Sequence, residues 1–256
     1  MYQGHTDEAE IYLKKTVRCI LNSNKHALNL RIISKLFPVV TWYCIDMKVE
    51  GAGDLFKQTL EFCEENSDTK GFPKEVISYL YYDVERYYDM LYTIHKKAHG
   101  LTDKLKEMRL QGLTYSEQAV KTLKKFINVE NAADLGTEDI SSTNRDRLVL
   151  MVSDYVCVLM GCGAEFDCTD ISLVTKEEIE KSEGLLMEIK GFIPHVPLVH
   201  KLLYQKAMCD LHFVKRENAQ ALKIAKDFLA TTTVTDVYEK ARRRAAIRVK
   251  NISGYL

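Results

Sequence analysis

The chain has 256 residues, enough for one large domain or two small ones with a sizeable core. A hydrophobic fraction of 46% and a charged fraction of 28% are those of a water-soluble globular protein, and only 12 Gly and 4 Pro leave room for long helices. Because 36 Lys and Arg balance 36 Asp and Glu, no global field draws the chain to nucleic acid or to an anionic membrane, and electrostatic binding has to be local.

The expected helices follow in chain order. The first spans about Asp7 to Leu21, where Ile11, Val17, Ile20 and Leu21 recur at helical spacing, and Asn22-Ser23-Asn24 ends it. A second begins near Lys25 and restarts after Pro38, which lacks an amide proton. Val39 to Val49 carries the only Trp, Trp42. Gly51-Ala52-Gly53 then breaks the chain, and Asp54 is expected to cap a helix through Glu65.

Lys74 to His99 is the longest uninterrupted pattern and follows Gly71-Phe72-Pro73. Ile77, Leu80, Val84, Tyr87, Tyr88, Leu91 and Ile94 form its core face, while Tyr79, Tyr81, Tyr82 and Tyr92 spread aromatic surface around the rest of the circumference. Thr114-Tyr115-Ser116-Glu117 and Thr175-Lys176-Glu177-Glu178 both fit the capping box, which predicts a helix start at each. Asn128 to Asn144 is polar and is expected to connect, with a sub-boundary near 129–144, before an apolar helix over Arg145 to Met160.

Breaks at Gly161 to Asp170 and at Gly191 to Pro197 precede the most regular stretch. Leu203, Ala207, Leu211 and Val214, then Ala221, Leu222, Ala225, Phe228 and Leu229, give two apolar helix faces across a turn at Arg216-Glu217-Asn218. No strand is required anywhere, and the expected fold class is all-α. The last helix is amphipathic. Val237, Ala241, Ala245, Val249 and Ile252 share one face, and Arg248 falls inside that apolar arc, where it has to pair or reach for water. An apolar face this close to Leu256 is also what a repeat array that runs on would show.

The spacing of Tyr204, Ala207, Leu211, Ala221 and Ala225, with a weaker echo at Trp42, Ile45, Val49, Phe56 and Leu60, resembles tetratricopeptide (TPR) repeats, although the Leu-Gly pair of that family's first helix is missing. The resemblance implies antiparallel helical hairpins stacked as a TPR-like α-solenoid or an irregular helical bundle. The whole of 1–256 would then be one helical-repeat domain, with 198–256 a C-terminal hairpin plus basic helix, and its function would be to hold a partner.

Sequence motifs for chemistry are weak. Cys157, Cys162 and Cys168, with His195 and His200, are zinc-ligand types at the wrong spacing, and Gly161-Cys162-Gly163 lacks the third glycine of a nucleotide fingerprint. The adjacent acids Glu64-Glu65 and Glu177-Glu178 point apart on a helix. No catalytic, cofactor-binding or metal-binding residue is assigned. Seven Cys, an odd number spread through apolar helical segments, fit buried thiols in a reducing compartment. With no membrane-length apolar run and no signal-peptide layout, cytoplasm or nucleus is expected.

Two features point to recognition. Tyr79, Tyr82 and Tyr92 offer rigid apolar area with a polar tip. Lys240, Arg243 and Lys250, with Arg244 at the edge, form the charged side of the last helix. The expected function is therefore a non-enzymatic scaffold or adaptor subunit that binds a protein partner, a peptide or helix of acidic character. Nucleic acid on the same basic helix is the alternative, an enzyme with an inter-helical pocket is the third reading, and no membrane is involved.

Overall fold

The computed structural model describes residues 37, 39–45, 52–68, 75–100, 102–127, 142–163, 166, 168–232 and 238–256, with Ile11 and Lys15. The helices expected from Asp7 to Leu21 and from Lys25 onward, and most of the connection after Asn128, lie outside the described residues. All regular structure among the described residues is helical, so the fold is all-α. The helices are α1 (residues 39–45), α2 (Gly53–Glu65), α3 (Val76–His99), α4 (Asp103–Ile127), α5 (Ser142–Leu159), α6 (Lys176–Ile189), α7 (Leu198–Val214), α8 (Asn218–Thr232) and α9 (Glu239–Ser253), with 3-10 turns over Cys168–Leu173 and Lys190–His195. No described helix is long and apolar enough to cross a membrane. The chain divides into two compact units, Met1–Phe126 and Ile127–Leu256, just before the segment 129–144.

In the first unit α2 packs on α3 around an edge-to-face aromatic chain. Phe37 lies 5.3 Å from Phe56, and Phe56 lies 4.9 Å from Tyr87. Tyr87 also terminates α2. The N-cap is Ala52, which has no side chain to offer, and Asp54 lies within the first turn rather than capping it. The Tyr87 hydroxyl accepts a hydrogen bond from the Ala52 amide at 3.1 Å and so satisfies a donor that the helix leaves open. Burial pushes the Tyr87 phenol up to about 12, against the pull of the Ala52 and Gly53 amides, so the hydroxyl stays protonated. A Cβ at Gly53 would stand 3.4 Å from the Tyr88 hydroxyl and 3.7 Å from the Tyr87 ring, ordinary van der Waals contact, so the site has room for alanine. Gly100, at φ +67°, ends α3.

The helix start expected at Thr114 does not exist. Thr114 sits in the middle of α4 with its hydroxyl donating to the Leu110 carbonyl at 2.8 Å. The capping geometry belongs to Thr102, whose hydroxyl accepts from the Leu105 amide at 3.3 Å. At Thr175 the box forms. Its hydroxyl accepts from the Glu178 amide at 3.2 Å, and the Glu178 carboxylate accepts from the Thr175 amide at 2.8 Å.

The second unit is built around α7, which packs on α5, α6 and α8. Close packing of α7 and α8 rests on small side chains: Ala207, Ala221 and Ala225 are all 0% exposed. The turn between them is Lys215-Arg216-Glu217, one residue earlier than expected because Asn218 already begins α8, and Arg216 takes the left-handed conformation at φ +67°. The Glu217 amide donates back to the His212 carbonyl at 2.9 Å, closing the end of α7. The apolar face of α9, which the sequence leaves in need of a partner, is already covered, because α9 packs on α8 and α7.

Candidate functional site

The last helix has two faces with opposite duties. Its inner face buries Ala245 and Ile252 and, between them, Arg248, the largest fully buried side chain described. The Arg248 guanidinium grips Asp210 of α7 with two hydrogen bonds, Nε to Oδ1 at 2.7 Å and an Nη to Oδ2 at 2.9 Å. Further donors reach the Gly163 carbonyl at 2.9 Å and the Arg244 carbonyl at 3.2 Å. The guanidinium carbon lies 5.0 Å from the Phe166 ring centroid. Gly163 and Phe166 are brought there by a backbone that turns left-handed at Gly161, Gly163 and Phe166.

Asp210 is also held by Lys206, one helical turn earlier, at 3.1 Å, and Lys206 in turn bonds to Cys157 of α5. Burial works against the charged form of all three ions. In Asp210 the charges of Arg248 and Lys206 outweigh it and hold the carboxyl below its usual range; in Lys206 and Arg248 the Asp210 charge outweighs it and raises both. Cys157 is pushed up to about 11 by burial and remains a thiol. The arrangement ties α5, Gly163, Phe166, α7 and α9 together. It seats α9.

The outer face is exposed. Lys240, Arg243 and Lys250 are exposed, with Ala246 between the last two, and Arg244 is half-buried at the border. Three of the four basic candidates therefore face water along one side of the helix, and the fourth lends its carbonyl to Arg248.

The tyrosine candidates are placed differently. Tyr82 is 9% exposed and its hydroxyl accepts from Arg86 at 3.1 Å, which takes its ring out of any docking surface. Arg86 in turn lies over the ring of Trp42 at 4.9 Å. Tyr79 and Tyr92 are half-buried. The rings that gather are Tyr81, Tyr88 and Tyr115. Tyr88 and Tyr115 stack at 5.5 Å, and Tyr81 lies 6.2 Å from Tyr115 while donating its hydroxyl to Glu64. They run beside the outer face of α2, where Asp54, Glu61, Glu64 and Glu65 are exposed and have no ion pair among the described residues. Burial and the Glu61 charge push the Glu64 carboxyl up.

The missed residues, Lys206 and Asp210, left one signal in the sequence: a Lys and an Asp four apart inside the apolar run from Leu202 to Val214. Cys44, Cys63, Cys157, Cys162 and Cys209 are buried free thiols. Burial pushes Cys63 up to about 12. Among the described residues no group of three His, Cys, Asp or Glu side chains converges as a metal site requires. Comparison with known protein families, with curated proteins and with solved structures finds no match for this chain.

Proposed function

We propose that the chain is a non-enzymatic scaffold of TPR-like helical hairpins that captures an acidic helix or tail of a protein partner on the outer face of α9. The observation that supports this most directly is the division of α9 into an anchored inner face and an exposed row of Lys240, Arg243 and Lys250. A helix fixed by a buried Arg–Asp pair presents its outer cations with little loss of freedom on binding. Three cations spread over about 15 Å of one helix neutralise too few phosphates for tight nucleic acid binding at physiological salt. An acidic helix meets the same row along its length.

The test is fluorescence anisotropy with a labelled Glu-rich helical peptide, duplex DNA and single-stranded RNA as separate probes. The wild type is expected to bind the peptide, and Arg243→Glu with Lys250→Glu to lose that binding with an unchanged circular dichroism spectrum. Binding of DNA or RNA at submicromolar strength in physiological salt, abolished by the same pair of substitutions, would replace this reading with a nucleic-acid-binding one.

A further inference from the structure

The exposed row on α9 has a counterpart of opposite sign in the first unit. On α2, Asp54, Glu61 and Glu65 project from one face with Glu64 at its edge, and Lys57 shares the face without neutralising it. We infer that the partner of α9 is a second copy of this chain, whose acidic α2 face receives Arg243 and Lys250. The inference rests on the reading of α9 as a docking element and names its occupant.

Spacing and charge both carry it. Asp54 and Glu61 are seven residues apart, as are Arg243 and Lys250, so each pair is separated by about 10.5 Å along its helix. Two helices laid side by side can therefore form both ion pairs at once. Between Arg243 and Lys250 stand the exposed Ala246 and the half-buried Ile247, uncharged side chains that set no like charge between the two cations. On α2, Glu61 and Glu65 are like charges one turn apart, an arrangement that costs energy until a cation enters. The half-buried Tyr81, Tyr88 and Tyr115 flank the acids and supply ring faces for a guanidinium. The chain as a whole has zero formal charge, so each face meets its match in another copy without a repulsive background. The interface differs on the two copies, so association continues into chains or rings. A contact of two single helices is small and hence weak and salt-labile.

Sedimentation equilibrium of the full chain tests this. At low salt the weight-average mass of the wild type is expected to rise above 29.4 kDa with concentration, and to fall back at about 0.5 M salt. Asp54→Lys with Glu61→Lys, and separately Arg243→Glu with Lys250→Glu, are each expected to remain single chains with unchanged helical content. Mixed in equal amounts, these two variants are expected to associate in alternation, because the basic row of one meets the acidic face of the other and their two reversed faces match as well. All four substitutions in one chain should restore association. A wild type that stays a single chain at every concentration, or variants that ignore each other on mixing, overturns the inference. If the same wild type still binds the Glu-rich peptide through Arg243 and Lys250, the reading of α9 stands and only its occupant is wrong.

Discussion

Replacing Arg248 with Met keeps the aliphatic volume of the side chain and removes its charge, which isolates the contribution of the buried pair. Both Arg248 and Asp210 are 0% exposed, so water cannot replace the lost partner. The substitution breaks two charge-assisted hydrogen bonds to Asp210 and strands the carbonyls of Gly163 and Arg244. Breaking one side of a buried pair costs about 3–5 kcal/mol. Lys206, 3.1 Å from Asp210, keeps the carboxylate compensated and holds the cost toward the lower end of that range. Asp210→Asn is expected to cost more than Arg248→Met, because it leaves two cations buried together with no anion. Exchanging all three ions, Lys206→Met with Asp210→Leu and Arg248→Met, is expected to cost less than either single change, since a buried ionic group and a packed apolar one differ little in net energy. Urea unfolding with hydrogen exchange read on peptides from α7 and α9 gives the loss locally. A cost for Arg248→Met under about 1 kcal/mol, or a triple variant whose cost equals the sum of its parts, would refute the reasoning.

Ala207→Leu should overpack the α7–α8 contact and cost about 1–3 kcal/mol, read as a lower melting midpoint; no change would show that the site can expand. Thr175→Ala should cost about 1 kcal/mol through loss of the capping box, whereas Thr114→Ala should be nearly neutral, and equal effects in thermal melts would contradict the assignment of the two. Burial holds the His200 imidazole below its ordinary value, against the charges of Asp146 and Asp154. The unfolded chain then takes up the proton first as pH falls, so this stability is present above about pH 6.5 and lost below it. His200→Gln should flatten the fall in melting midpoint between about pH 7 and pH 5, and superimposable profiles would sink the assignment.

The hairpin of α7 and α8, the Thr175 start and the place of Arg248 inside the apolar arc of α9 were all legible in the sequence, because each depends on spacing within a few turns of chain. Thr114 misled for a related reason. A capping box is a local pattern, and α4 runs through it because the residues on both sides are good helix formers with a continuous buried face that includes Leu105, Leu113 and Leu123. Asp210 was illegible as a site residue because its main partner lies 38 positions later and in another helix. The tyrosines of α3 show the limit of a single-helix view. Which rings are buried depends on α2 and α4, so Tyr82 is lost to the interior while Tyr81, Tyr88 and Tyr115, from two helices, gather outside.

Arg216 stands left-handed in a turn only three residues long, a conformation that glycine adopts without strain. Reach to the Glu183 and Glu217 carboxylates is supplied by its neighbour Lys215, at 2.6 and 2.9 Å, so the strained residue is not the one making the ion pairs. Any library that diversifies this chain for a new binding specificity therefore has a neutral-to-favourable position at 216, and a designer who wants a stiffer starting scaffold can place glycine there while leaving Lys215 and Glu217 untouched.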